Sequence, residues 1–178
     1  AGITPDFLCL SKGLTGGYLP LSVVVTRNRI YECFYDDYEN LTAFLHSHSY
    51  TGNPLGCRAA LATLDIFNDD DVIANNAMLA AAMQTAVAGL DEHPHVAEVR
   101  QTGMILAIEM VREKSTREPW PWQDRRGLRV YRHALQQGVL LRPLGNVIYF
   151  MPPYVITAEE IGLMASAAVE GIEIAARD

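Results

Sequence analysis

One lysine, Lys12, stands between an apolar run, FLCL at 7–10, and a run of small and turn-forming residues, GLTGG at 13–17. An exposed amine in that position is a solvated surface charge. Held in a cleft and partly stripped of water, the same amine becomes a nucleophile able to bond a carbonyl carbon. Spacing alone leaves both readings open. The glycines do not form a nucleotide phosphate loop, which places its lysine after the glycines rather than before them. Gly16 and Gly17 are read as residues that let the backbone turn sharply.

Three further side chains could share in chemistry. Ser49, in HSHSYTGN at 46–53, offers a hydroxyl that can donate to an anion or serve only as a loop residue. Arg142, in RPLGNVIY at 142–149, carries a planar fork suited to gripping a carboxylate with two parallel bonds, or pairs with a local acid at a strand edge. Tyr149, in the same segment, lines a pocket or fills the core. His46, His48 and Cys57 do not make a metal site, because no carboxylate or second cysteine joins them at ligand spacing. Trp120 and Trp122, in EPWPW, line a channel or anchor a loop.

The elements that position these residues follow from pattern. FLCL and SVVVT are apolar or β-branched runs bounded by Gly and Pro, so two strands flank the lysine loop. Asn28 is expected to cap a short helix through IYECFY, and the polar, aperiodic stretch DDYENLTAFLHSHSYTGN to form a long loop. Pro54 opens a helix that Asn68 is expected to close. The acidic run NDDD is read as cap and dipole partner of a second helix reaching AGL at 88–90, not as a metal site. VAEVRQTGMILAIEMV predicts two strands about a Gly-containing turn, GLRVYRHALQQG a helix stopped at Gly138, and VLLRPLG with NVIYFMPP a hairpin turning at Gly-Asn. Thr157 and Glu160 stand at capping-box spacing ahead of a last helix.

Composition excludes whole classes of partner. The 178 residues are 49% apolar, enough to fill a core, and the net charge of -7 without a basic cluster argues against nucleic acid and anionic membranes. No apolar run reaches the length of a membrane span. Three cysteines without a C-x-x-C pair suggest neither disulfides nor a zinc knuckle, so a reducing, cytoplasmic setting is expected. The chain opens with AGITPDFLCL, without Met and almost directly on a strand, which suggests that residues are missing upstream.

Two of these segments occur together in one family. PDFLCLSKGLTGGYLPLS and HSHSYTGNPLGCRAAL resemble, in order, the lysine segment and the phosphate-binding loop of the class III aminotransferases, pyridoxal phosphate (PLP) enzymes of fold type I. RPLGNVIYFMPPYVIT and TREPWPWQDRRG are similar to the members that move an amino group from S-adenosylmethionine to 8-amino-7-oxononanoate, giving 7,8-diaminononanoate in biotin biosynthesis. The resemblance spans essentially the whole chain. It implies an α/β fold: the end of a PLP-binding large domain over 1–68, then a small C-terminal α/β domain over 69–178 with largely antiparallel strands covered by helices.

The resemblance also implies roles. Lys12 would bond the cofactor and, once freed, carry the proton between substrate carbon and cofactor. Ser49, where the family usually has Thr, would donate to the phosphate of a neighbouring subunit's cofactor, so a homodimer is expected. Arg142 would hold the substrate carboxylate, and Tyr149 would line the substrate pocket. The family's acid for the pyridinium nitrogen, its glycine-rich loop and its stacking aromatic lie well upstream of the lysine, whereas eleven residues precede Lys12 here. The chain would then correspond to the C-terminal portion alone and be inactive by itself. Two alternatives stay open: another class III enzyme acting on ornithine-like or ω-amino donors, and a non-catalytic fragment.

Overall fold

A computed structural model describes residues 2–46 and 48–177. The chain divides into two compact units, Ala1–Asp71 and Val72–Asp178.

In the first unit, strands β1 (Phe7–Leu10) and β2 (Val23–Thr26) form an antiparallel pair with Leu8 opposite Val25 and Leu10 opposite Val23. Between them the chain makes one 3₁₀ turn, Lys12–Thr15, and then passes through two left-handed glycines, Gly16 and Gly17. Helix α1 (Asn28–Tyr31) is a single turn continued by a 3₁₀ turn at Glu32–Phe34. Its N-cap is Arg27, without a side-chain bond, so Asn28 is the first helical residue and not the cap. Arg27 instead reaches back to the carbonyl of Thr4 (2.7 Å) and pairs with Asp6 (3.0 Å), tying the end of β2 to the start of the chain.

Helix α2 (Pro54–Asp69) starts as expected at Pro54, where the missing N–H costs nothing, and Asn53 Oδ1 accepts from the Leu55 N–H (3.1 Å). The helix runs through Asn68 and is capped by Asp70, which corrects the expected stop. α2 packs against the lysine turn through small residues: Gly56 and Ala60 are buried, and a Cβ on Gly56 would touch Leu21 and Pro20.

In the second unit, α3 (Val72–Ala86) begins directly after a left-handed Asp71 (φ 51°), so the acidic run lies ahead of the helix and none of it falls in the first turn. The expected extension to residue 90 stops at Ala86, and past left-handed Gly89 residues Leu90–Glu92 form a separate 3₁₀ turn. The sheet has four antiparallel strands in the order β3 (Val96–Thr102), β4 (Ile105–Met110), β6 (Val147–Phe150), β5 (Arg142–Leu144). Pro143, which cannot donate to a ladder, sits on the edge strand β5. Gly145 (φ 62°) and Asn146 make the hairpin turn.

Alternation decides which face is buried. Leu106, Ile108, Met110, Ile148 and Phe150 point into a core completed by α3, α4 (Arg126–Gln136) and α5 (Ala158–Ala176). Burying side chains of this size contributes about 1.5–3 kcal/mol each. Arg126, at the start of α4, donates to the carbonyls of Ala175 and Arg177 (both 2.7 Å) at the end of α5 and lies over the Trp120 ring (5.3 Å). The same two helices are joined by His133 Nε2 and Glu170 (3.0 Å). α5 opens with the expected capping box: the Glu160 N–H donates to Thr157 Oγ1 (3.2 Å), and the Thr157 N–H donates to the Glu160 carboxylate (2.8 Å).

Candidate active site

Lys12 takes a left-handed conformation (φ 53°), uncommon for a side chain with a Cβ, immediately after an extended Ser11. The turn below it is held by buried Thr15, whose hydroxyl donates to the Leu19 carbonyl (2.5 Å), and by Gly16, whose N–H donates to the Gly13 carbonyl (3.0 Å). Thr15 is a positioning residue that sequence reading passes over; a hydroxyl between two glycine-rich turns gives no pattern of its own. Among the described residues the Lys12 amine, which is exposed, has neither a hydrogen-bond nor an ion-pair partner.

Ser49 lies in the turn that leads into α2. The Thr51 N–H donates to the His48 carbonyl (3.0 Å), and the Tyr50 N–H to His48 Nδ1 (3.2 Å), so His48 organises the turn. The Ser49 hydroxyl is exposed and has no partner among the described residues. No hydrogen bond joins Ser49 to Lys12 there. His46, His48 and Cys57 do not gather: among the described residues no three His, Cys, Asp or Glu side chains are grouped as metal ligands.

Arg142 and Tyr149 do come together. They are direct cross-strand partners on β5 and β6, and the Arg142 guanidinium lies 5.9 Å from the centre of the Tyr149 ring. Register continues their row through Ala107 on β4 to Arg100 on β3, on the face opposite the core. Arg100 is neutralised by Glu109 (2.7 Å) and Glu98 (3.8 Å). Arg142 has no carboxylate partner among the described residues, unlike a strand-edge arginine paired with a local acid. A fork left free on an open face, beside an aromatic ring, can take a carboxylate from outside the chain.

The two tryptophans differ. Trp120 is buried against His95 (ring centres 5.1 Å apart) and Arg126, and so anchors its loop, whereas Trp122 is exposed.

These residues match one family along nearly the whole chain. The profile of the aminotransferase class-III family covers residues 1–171. The chain belongs to the class III aminotransferases. It is 46% identical over 172 residues to the adenosylmethionine-8-amino-7-oxononanoate aminotransferase of Geobacter sulfurreducens, covering 97% of this chain and 37% of that protein. It is 48% identical over 172 residues to the same-named enzyme of Helicobacter pylori, covering 94% and 38%. Among solved structures, the enzyme of that name from Methanocaldococcus jannaschii superposes with a TM-score of 0.91 at 43% identity, covering 96% of this chain and 39% of the other. A PLP-bound amine transaminase from an uncultivated Pseudomonas species gives 0.87 at 36% identity, covering 98% and 39%. This class III chain therefore spans little more than a third of the length of the curated relatives it matches, and its α/β fold is that of part of a PLP-dependent transaminase.

Proposed function

We propose that this chain carries the lysine-bearing and carboxylate-binding portion of a PLP-dependent aminotransferase that moves an amino group from S-adenosylmethionine to 8-amino-7-oxononanoate, giving 7,8-diaminononanoate for biotin synthesis. The observation that carries the reading is the match of residues 1–171 to the class III family, in which Lys12 falls at the family's lysine segment and stands exposed and unpartnered on a turn braced by Thr15 and by α2. Residues 1–68 then belong to the cofactor-binding domain and residues 69–178 to the small domain.

The residues present fit the cofactor. A free amine suits an aldehyde, and the free hydroxyl of Ser49 suits a phosphate, there serving the site of a second subunit in a homodimer. When bound, PLP supplies an electron sink for charge developing on the substrate carbon. The chain's own residues do the rest. Lys12 holds the cofactor and moves the proton at the substrate carbon. Arg142 grips the remote carboxylate of the keto substrate, and Tyr149 borders it. The finer choice of substrates is supported by the shared name of four relatives at 43–48% identity, a name that extends to an enzyme at 30%, while structural neighbours described as amine or omega transaminases, or as a transaminase with L-alanine, are 27–36% identical.

The test is a donor and acceptor survey of the intact enzyme with S-adenosylmethionine, ornithine and simple ω-amino acids, each against 8-amino-7-oxononanoate. Borohydride reduction followed by mass analysis locates the cofactor-bound lysine. Preference for S-adenosylmethionine with label on Lys12 supports the proposal. Preference for an ω-amino acid overturns the substrate reading, and label elsewhere overturns the lysine assignment.

A further inference from the structure

The hairpin that presents Arg142 is seated from below at its turn. Gly127, in the first turn of α4, has no room for a side chain: a Cβ there would lie 2.3 Å from the Gly145 carbonyl oxygen and 2.8 Å from Pro143 Cβ. One of those atoms is backbone, which cannot swing aside as a flexible side chain can. Glycine near a helix start is otherwise a cost, since it fixes the most mobile backbone of any residue. On the other side of the turn, Asn146 Nδ2 donates to the Trp120 carbonyl (2.9 Å), and the Asn146 carbonyl accepts from the Met110 N–H (2.9 Å). The turn residues Gly145 and Asn146 are thus clamped between the start of α4, the buried Trp120 loop and the end of β4. Pro143, pressed toward Gly127, is the residue next to Arg142.

We propose that Gly127 and Asn146 are positioning residues for Arg142: together they seat the hairpin turn so that the guanidinium fork stands over the Tyr149 ring at the distance and angle that accept a carboxylate. The proposal rests on the reading of Arg142 as the carboxylate grip. A two-point bond tolerates little displacement, so a hairpin shifted by the bulk of one methyl group loses its second contact while the site otherwise stays intact. The seat acts on one end of one substrate, and its loss is felt as binding of that carboxylate rather than as a general loss of chemistry.

The experiment uses the intact enzyme and measures 8-amino-7-oxononanoate beside its carboxamide, at saturating amino donor. Gly127→Ala is expected to raise KM for the carboxylate on the order of tenfold with kcat changed less than about twofold, and Asn146→Ala to raise it about threefold. The carboxamide should be turned over by both variants as by the unaltered enzyme, so the preference for carboxylate shrinks. Gly171→Ala is the matched control. Its Cβ would crowd Val130 on α4 (2.8 Å to Cγ1) away from the hairpin, and it should leave the preference unchanged. Should Gly127→Ala not accumulate as folded protein, Asn146→Ala, which adds no bulk, decides alone. Parallel losses on carboxylate and carboxamide, equal effects of Gly171→Ala, or no change in either seat variant overturns the proposal. Arg142→Ala separates the two readings: if it spares the carboxylate preference, the assignment of Arg142 has failed. If it abolishes the preference while the seat variants keep it, the seat has failed.

Discussion

The two units of this chain are built from similarly apolar sequence and reach opposite outcomes. In the second, β4 and β6 alternate between a fully buried face and an open one, and Leu106, Ile108, Ile148 and Phe150 are closed in by helices. In the first, every residue of β1 and β2 is exposed, and among the described residues only Thr15, Gly56 and Ala60 are buried. The difference is one of neighbours. Two paired strands leave both faces and both edges open, whereas four strands with three helices on one face close a core. In the first unit α2 shields the lysine turn and little else. Lys12 and Ser49 therefore lie in the open unit, and Arg142 and Tyr149 on the face of the closed unit's sheet opposite its core.

The largest effect expected from this contrast separates activity from stability. In the intact enzyme Lys12→Ala should lower turnover on the order of a thousandfold or more while circular dichroism and the melting temperature stay nearly unchanged, because an exposed amine without a partner contributes little to folding. Near-normal turnover would remove Lys12 from the mechanism. A large loss of stability would show that the first unit depends on this residue for its fold.

A pair of core and strand substitutions tests the contrast directly in this chain. Ile108, with 0% exposure, should cost about 2–5 kcal/mol on replacement by Ala, through lost burial and the cavity left behind. Val24→Ala, at 61% exposure, should cost no more than about 0.5 kcal/mol. Urea titration followed by fluorescence and circular dichroism measures both. A costly Val24→Ala would mean that a second copy of the chain covers the hairpin in solution.

Arg142→Lys should weaken the 8-amino-7-oxononanoate half-reaction by about 1–3 kcal/mol, and the S-adenosylmethionine half-reaction less, because a point charge replaces a fork only at the remote carboxylate. Single-turnover traces of each half-reaction give the comparison. Equal losses would make Arg142 a structural residue of the closed unit.

The smallest effect lies at the start of α5. Thr157→Ala should cost about 1 kcal/mol by removing the hydroxyl that caps the Glu160 N–H. Glu160 ties this cap to pH. Bonds from the Thr157 backbone N–H, and then from its hydroxyl, hold the Glu160 carboxyl below the ordinary glutamate value. A depressed carboxylate stabilises the fold fully above its unfolded pKa, and that stabilisation is lost as pH falls through the folded one. Acid melting curves of the parent chain and Glu160→Gln should therefore converge at the acid end and separate toward neutral pH. Curves that stay parallel would show that the capping box contributes nothing through charge.

Much of this was decided locally and could be read without coordinates. The strands at FLCL and VVVT, the Pro54 start of α2, the Gly-Asn turn and the Thr157–Glu160 box all depend on residues a few positions apart, so pattern and propensity suffice for them. The segments around Lys12, Ser49 and Arg142 were recognisable for the same reason, since each is a continuous stretch. The sequence by itself also determined the family. Only the tertiary structure decided what depends on residues far apart in the chain. Asn28 and Asn68 are good capping residues by type, yet α1 takes Asn28 into its first turn beside an Arg27 tied back to Thr4 and Asp6, and α2 runs through Asn68 to a cap at Asp70. The register that sets Arg142 over Tyr149, the ion pairs that neutralise Arg100 but not Arg142, and the burial of Trp120 but not Trp122 all require strands and loops to meet. Gly127 shows the limit most clearly: in the sequence it is one small residue after two arginines, and its reason is a carbonyl 18 residues away that leaves no room for a methyl group.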